Sequence, residues 1–191
     1  MTPLEIRTIQ KALLRDRLKK LRSALPQAVR EEFSEAIAQR LFQLAQIQSA
    51  KTLFVYISCG AEIETRGIIQ RLLEEGKRVA VPKIVSARME AQLFSDWEQL
   101  VPGQLGILTP QQGQECPAPI DVVITPGLGF TAQGHRIGFG RGYYDRWFSS
   151  HPACFKVALA YEVQIVPDIP LDPHDVPVDC VITEKRILWP F

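Results

Sequence analysis

Within the 191 residues, no apolar run approaches the roughly 20 that a membrane-spanning helix needs. The first residues, Met-Thr-Pro-Leu-Glu-Ile-Arg, lack the apolar core of a signal peptide. Charge of one sign is also missing: the formal net charge is +1, which argues against a general nucleic-acid binder. Cysteine is sparse, with only Cys59, Cys116, Cys154 and Cys180, far apart and without a C-x-x-C pair. A disulfide framework or a zinc site is therefore not expected, and the thiols are read as reduced in a cytoplasmic protein. The three histidines have no partner at ligand spacing. There is no G-x-x-x-x-G-K-[ST] phosphate loop and no Ser/His/Asp or Cys/His arrangement, so covalent nucleophilic catalysis is not expected.

What the sequence does have is one unusual stretch. Thr125 to Asp145 reads Thr-Pro-Gly-Leu-Gly-Phe-Thr-Ala-Gln-Gly-His-Arg-Ile-Gly-Phe-Gly-Arg-Gly-Tyr-Tyr-Asp. The apolar run Val122-Val123-Ile124 leads in and a short helical pattern, Tyr144 to Phe148, leads out. The order is strand, glycine-rich loop, helix. Glycine lets backbone approach a ligand closely, and successive N–H groups before a helix N-terminus form a concave anion site. Arg136 and Arg141 add guanidinium forks for phosphate oxygens. Asp145 adds a carboxylate of the kind that holds Mg²⁺ beside phosphates. This is the equipment of a nucleotide-phosphate site. The competing reading of these residues is a mobile surface loop with solvated arginines. Gly138-Phe139-Gly140 does not extend to a dinucleotide fingerprint, because Tyr143 stands where a third glycine would fall.

The segments Pro126-Gly-Leu-Gly-Phe130 and Gly134-His-Arg-Ile-Gly-Phe-Gly-Arg-Gly-Tyr-Tyr-Asp145 resemble the signature of the 5-formyltetrahydrofolate cyclo-ligase family, also called 5,10-methenyltetrahydrofolate synthetases. Members use ATP and Mg²⁺. The resemblance implies an ATP contact along Arg136, Ile137, Gly138, Phe139, Gly140, Arg141, Gly142, Tyr143 and Tyr144. It implies a substrate contact along Phe139 to Tyr143, with Arg141 and Tyr143 taking part in catalysis. Asp145 would hold the metal. Two departures stand out. Thr131 occupies a position where Asp is usual, which removes a charge, and Phe139 occupies one where some members carry Arg or Tyr.

The rest of the chain is read around that loop. Pro3 to Leu25 is expected to be helical, with Ile6, Ile9, Leu13, Leu14, Leu18, Leu21 and Leu25 as its buried apolar stripe. Lys11, Arg15 and Lys19 share another face, and the bland reading is a solvated one. The resemblance implies instead that Lys11 and Arg15, one turn apart, contact ATP phosphates. Pro26 ends this helix and a second is expected from Gln27 to Gln46. Thr52 to Ser58 reads as a buried parallel strand delivering Cys59-Gly-Ala-Glu-Ile-Glu-Thr65 to its carboxyl end, where ligands of open α/β sheets gather. The resemblance maps Glu62 and Ile57 onto folate-binding positions. Glu64 has a simpler reading, an acidic residue favouring the start of the helix from Thr65 to Glu75.

Further strands are expected at Arg78 to Val85, Met89 to Phe94, Asp121 to Thr125, Lys156 to Tyr161 and Val178 to Thr183. Asp96 to Leu108 is less regular, and Thr109 to Pro119 has the composition of a surface loop. Asp172, His174 and Asp175 look like metal ligands, but in a proline-rich loop they are read as solvated turn formers. Asp179 lies in the last of these strands, ahead of its apolar residues, a normal strand-edge position; the resemblance implies a second Mg²⁺ contact there. Tyr143 and Tyr144 can be half-buried packing or can stack on a ligand ring.

The expected architecture is one domain spanning residues 1–191, a three-layer, Rossmann-like α/β fold with a mainly parallel sheet and helices on both faces. The activity the resemblance implies is ATP-dependent cyclisation of 5-formyltetrahydrofolate by a monomer that uses Mg²⁺ and takes no nucleic-acid or membrane partner. Two readings stay beside it: an enzyme of phosphorylated sugars or acyl-CoA on a similar sheet, and a non-catalytic nucleotide- or RNA-binding module. The modest net charge, Asp145 and Glu62 speak against the second.

Overall fold

The computed structural model describes residues 1–103, 107–117 and 119–190. Its centre is a seven-stranded sheet built from β1 (Thr52–Val55), β2 (Arg78–Val85), β3 (Arg88–Phe94), β6 (Val122–Thr125), β9 (Phe155–Leu159), β10 (Cys180–Ile182) and β11 (Ile187–Leu188), in the order β11-β10-β9-β6-β1-β2-β3. The five inner strands pair in parallel, whereas β3 and β11 close the two edges antiparallel. Ser86 and Ala87, both at positive φ (47° and 66°), form the two-residue turn between β2 and β3. Two small hairpins lie outside the sheet. One joins β4 (Leu100–Pro102) to β5 (Leu108–Pro110), the other β7 (Gly129–Phe130) to β8 (Arg136–Ile137). The expected irregular segment 96–108 and loop 109–119 fall partly on residues 104–106 and 118, which lie outside the described residues.

Alternation along the strands separates two cores. Leu53, Val55, Val122, Ile124, Val157, Leu159, Cys180 and Ile182 point to one face. There they meet Ile37 and Leu41 of α2 (Gln27–Gln43), Ile47 of α3 (Ala45–Ser49) and Ile68, Ile69 and Leu72 of α4 (Arg66–Glu74). On the other face Phe54, Ala80 and Val123 meet Trp147 and Phe148 of α5 (Tyr143–Ser150). Burying each of these two aromatics contributes about 2–3 kcal/mol, which pins the helix that ends the glycine loop. The fold is therefore the mainly parallel α/β sheet with helices on both faces that the strand pattern implied. Among the described residues no helix is long and apolar enough to cross a membrane.

Helix α1 (Pro3–Ser23) departs from the sequence reading. Its start is as expected, with Thr2 and Glu5 closing a reciprocal cap and proline in the first turn. Its apolar stripe is not buried: Ile6, Ile9, Leu13 and Leu21 are exposed, and only Leu18 of that set is fully buried. The face turned inward carries Lys11, Leu14, Arg15, Leu18 and Arg22 instead. Periodicity finds the amphipathic faces but assumes that the apolar one meets the protein. Here Lys11 and Arg15 are satisfied by carboxylates and a carbonyl more than 100 residues away in sequence, and Arg22 reaches the equally distant Gly127 carbonyl at 3.4 Å.

Candidate functional site

A cavity of about 610 Å³ opens beyond the carboxyl ends of β1 and β6, where Tyr56, Ile57 and Pro126 leave the sheet. Helix α1 closes one side with Lys11 and Arg15, and residues 136–145 form the floor. Pro82, Ile84 and Met89 of the β2–β3 hairpin, with Ile107, supply an apolar wall.

The glycine-rich stretch is partly ordered strand rather than continuous loop. After β6 the chain turns through Gly127 into the β7–β8 hairpin. Thr131, buried at the hairpin bend, accepts hydrogen bonds at Oγ1 from the N–H groups of Gln133 (3.2 Å) and His135 (3.3 Å). A neutral hydroxyl thus closes a turn that a carboxylate could also close, so the Asp-to-Thr departure keeps the bend and drops only the charge. Residues 138–142 then form the loop proper. Gly140 has φ +94° and Gly142 has φ +63° at the N-cap of α5, backbone that L-residues rarely adopt. Arg15 donates from Nε to the Gly138 carbonyl at 3.0 Å, and a Cβ on Gly140 would lie 3.3 Å from Arg15 Cζ. The helix α1 cation and the loop backbone are therefore seated on one another.

Charges alternate around this floor. Lys11 Nζ donates to Asp172 and Asp175, each at 2.6 Å, and Arg7 donates to Asp172 at 3.0 Å. The hydrogen bond from Lys11, then that from Arg7, holds the Asp172 carboxyl below its ordinary range. Arg136 donates to Asp145 Oδ1 at 2.9 Å, and the Val176 N–H approaches the same oxygen at 3.4 Å. Asp145 is thereby placed against the segment that carries Asp172 and Asp175. Ligand atoms of Asp172, His174 and Asp175 lie within 4.8 Å of one another. These three do form a turn, with Asp175 N–H bonded to the Asp172 carbonyl. Asp172 and Asp175 are not merely solvated turn formers, however: with the exposed His174 they line the cavity, and the two carboxylates neutralise Lys11. Arg141, by contrast, is exposed, and its guanidinium makes no hydrogen bond or ion pair among the described residues. It also borders a second cavity of about 860 Å³ on the far side of the loop, shared with Arg88, Arg146 and Tyr143.

Asp179 does not join this cluster. It precedes β10, and its carboxylate accepts from the Lys156 backbone N–H (2.7 Å) and lies 3.4 Å from Lys156 Nζ. Because β10 runs parallel to β9 and β6, the residue before it sits at the amino ends of the strands, opposite the cavity. The short V-D-C-V match misled the assignment. Asp175, four residues earlier, does reach the cavity, as Asp172 and Asp145 do.

The remaining wall is polar and nearly dry. Ile57 and Glu62 both line the cavity. Glu62 Oε2 accepts from the Cys59 N–H at 3.0 Å, and its side chain is 6 % exposed. Burial raises its carboxyl above the ordinary range, opposed by the Cys59 N–H and by Arg22. Tyr56 and Tyr144 face it, and burial, then Glu62, raises both phenols. Glu64 accepts from the Arg66 N–H at 2.8 Å and serves the start of α4, as the simpler reading had it. Tyr144 stacks on Phe54, so packing and cavity lining are both true of it. Phe139 is 51 % exposed and lines the cavity. Sequence reasoning missed Tyr56, Arg22, Asp172 and Asp175. Only the carboxylates offered a signal, their spacing in a proline-rich turn.

One concave site thus offers a cation-lined glycine loop, a carboxylate cluster, an apolar wall and, on its polar side, a buried glutamate. The profile of the 5-formyltetrahydrofolate cyclo-ligase family matches residues 7–184. The chain belongs to this family. A probable 5-formyltetrahydrofolate cyclo-ligase of Caenorhabditis elegans is 34% identical over 194 residues, covering 93% of this chain and 94% of that one. The NMR structure of Aquifex aeolicus 5,10-methenyltetrahydrofolate synthetase superposes with a TM-score of 0.83 at 29% identity, covering 94% of this chain and 92% of its own. The 5,10-methenyltetrahydrofolate synthetase of Mycoplasma pneumoniae gives 0.73 at 26% identity, covering 91% and 98%. The cyclo-ligase relatives therefore span the site and the sheet that positions it.

Proposed function

We propose that the protein cyclises 5-formyltetrahydrofolate to 5,10-methenyltetrahydrofolate, converting ATP to ADP and phosphate. The observation that carries this reading is the meeting, in one cavity of a cyclo-ligase family member, of a floor of glycine backbone and cations suited to phosphate, an apolar wall and the buried Glu62. A formamide oxygen is a poor leaving group, so it must be activated. The formyl oxygen attacks the γ-phosphorus and ADP departs. N10 then attacks the formyl carbon, phosphate leaves with the oxygen, and N10 gives up its proton.

Such a transfer needs position and charge neutralisation more than covalent chemistry. Lys11, Arg15 and Arg141 hold phosphate oxygens, with the N–H groups of Gly138 to Gly142 beneath them. Ile137, Phe139 and Tyr144 shape the nucleotide side, while Tyr143 and Arg141 flank the reacting groups. Ile57 and Glu62 seat the pterin, whose ring N–H and amino groups are donors for a carboxylate.

Asp172 and Asp175, whose ligand atoms lie within 4.8 Å of each other and of His174, and Asp145, held next to their segment by the Val176 N–H, supply carboxylate oxygens of the kind that suits Mg²⁺ beside the cations of the cavity. Bound there, the ion would neutralise charge on the phosphates. No disulfide joins the described cysteines, which fits a reducing compartment such as the cytoplasm.

The test is the near-ultraviolet absorbance of the methenyl product in a mixture of protein, 5-formyltetrahydrofolate, Mg²⁺ and ATP. The expected result is growth dependent on ATP and Mg²⁺, reduced about 100-fold by Arg141→Ala without loss of thermal stability. Folded protein that gives no product and no ADP would overturn the assignment.

A further inference from the structure

The last turn of α1 sends a third cation inward. Arg22 is 7 % exposed at its side chain. Its partners are all at long range: Glu62 Oε1 at 3.7 Å, the Gly127 carbonyl at 3.4 Å and the Phe139 ring, whose centroid lies 5.6 Å from Cζ. Its buried Nε has no hydrogen-bond partner among the described residues. A buried guanidinium this loosely held is costly for folding, and a tighter apolar packing would be more stable. What it touches is informative. Glu62 is the cavity carboxylate, Gly127 is the head of the glycine stretch, and Phe139 is the exposed ring of the loop. Arg22 itself is not among the cavity-lining residues.

We infer that Arg22 is a positioning residue that keeps the Glu62 carboxylate and the Phe139 ring in the arrangement in which the folate ring docks. The inference rests on the reading of Glu62 as the folate-binding carboxylate. One oxygen of Glu62 is fixed by the Cys59 N–H and the other faces Arg22, so the carboxylate plane is set from behind while its open lone pairs address the cavity. The groups that face Glu62 come from several elements. They are Arg22 from α1, Tyr56 from the end of β1, Cys59 from its own loop and Tyr144 from α5; the Tyr161 hydroxyl donates to the Glu62 carbonyl at 3.4 Å. Arg22 is the cation of this set. Without it only the Cys59 hydrogen bonds would oppose burial, and the carboxylate would protonate at higher pH.

The experiment compares Arg22→Met, Arg22→Lys, Glu62→Gln and the double variant Arg22→Met/Glu62→Gln in the methenyl-product assay, with thermal midpoints recorded alongside. Arg22→Met is expected to raise the KM for 5-formyltetrahydrofolate about tenfold with the KM for ATP little changed. The acid limb of kcat/KM for the folate should move to higher pH. Arg22→Lys keeps the charge without the fork and should give a smaller rise. Adding Arg22→Met to Glu62→Gln should raise the folate KM no further. If Glu62→Gln leaves the folate KM unchanged, the reading of Glu62 fails. If Glu62→Gln weakens folate but Arg22→Met alters both KM values equally with the acid limb in place, Arg22 is only structural and the inference is overturned. Should Arg22→Met not fold, an unchanged folate KM and acid limb in Arg22→Lys would overturn it equally.

Discussion

Arg136 donates to Asp145 across 2.9 Å, with side chains 4 % and 15 % exposed. Both residues carry phosphate-site chemistry in the sequence, yet here each is the other's partner. Arg136 also lies over the Tyr144 and Phe148 rings, so the pair ties the start of α5 to the hairpin before the loop. Removing one member leaves the other buried and uncompensated, which costs about 3 kcal/mol in pairs of this type. Asp145→Ala should therefore lose both activity and stability. Asp145→Asn keeps an acceptor for Arg136 and should lose less stability while still losing the Mg²⁺ response. Urea denaturation paired with the product assay separates the two effects; equal stability loss in both variants would contradict the argument.

Lys11 presents a competition. Its ammonium sits 2.6 Å from Asp172 and from Asp175, the carboxylates proposed for the ion. Lys11 is thus their counter-ion, and phosphate binding requires it to turn toward a different partner. Lys11→Met should tighten Mg²⁺ binding to the nucleotide-free protein several-fold, because a competing cation is gone. The same change should raise the KM for ATP about tenfold or more. Calorimetric titration with Mg²⁺ alone checks the first statement, and weaker Mg²⁺ binding in the variant would refute it.

How much of this was legible in the sequence differs between elements. The parallel strands announce themselves because a strand buried on both faces must be continuously apolar, as Val122 to Ile124 is. The glycine loop announces itself through spacing, since backbone at the φ of Gly140 and Gly142 strongly favours glycine. Helix α1 was legible as a helix and illegible in orientation. Its inward face is chosen by Asp172, Asp175, Gly138 and Gly127, and no local pattern records those distant partners. The same cause explains Asp172 and Asp175. Their turn chemistry is local and readable, but their place beside Asp145 depends on how the 172–176 segment returns over α5. Asp179 shows the reverse error. A short motif suggested a ligand, while parallel pairing puts it at the wrong end of the strand.

Gly140 tests whether the loop backbone and Arg15 act as one unit. A methyl there meets two obstacles: φ +94° and a contact of 3.3 Å with Arg15 Cζ. Gly140→Ala should cost about 1–2 kcal/mol from the backbone alone. By displacing Arg15 from Gly138 it should also weaken ATP binding, in the same direction as expected for Arg15→Ala. Gly67→Ala is the control. Gly67 lies in α4 with nothing within 4 Å of its Cβ position, so the same chemical change should stabilise by about 1 kcal/mol. Thermal melts should show opposite signs for the two variants, and a stabilising Gly140→Ala would mean that the loop relaxes freely.

Asp179 offers the sharpest separation between motif and structure. If it were a metal ligand, Asp179→Asn would raise the Mg²⁺ concentration needed for half-maximal rate. The geometry predicts otherwise. Its carboxylate accepts the Lys156 N–H at 2.7 Å and tethers the loop before β10 to β9, away from Asp145 and Asp175. An asparagine keeps one acceptor oxygen but loses the charge near Lys156 Nζ; the Asp179 side chain is 42 % exposed, so the loss should stay near or below about 1 kcal/mol. Activity and Mg²⁺ dependence should match the parent protein. Asp175→Asn, by contrast, should raise the Mg²⁺ requirement strongly, because it removes a carboxylate from the cavity and also loosens Lys11. Mg²⁺ titrations of the two variants under saturating ATP and folate decide the matter, and a larger shift for Asp179→Asn than for Asp175→Asn would return the metal to the end of the sheet that the motif suggested.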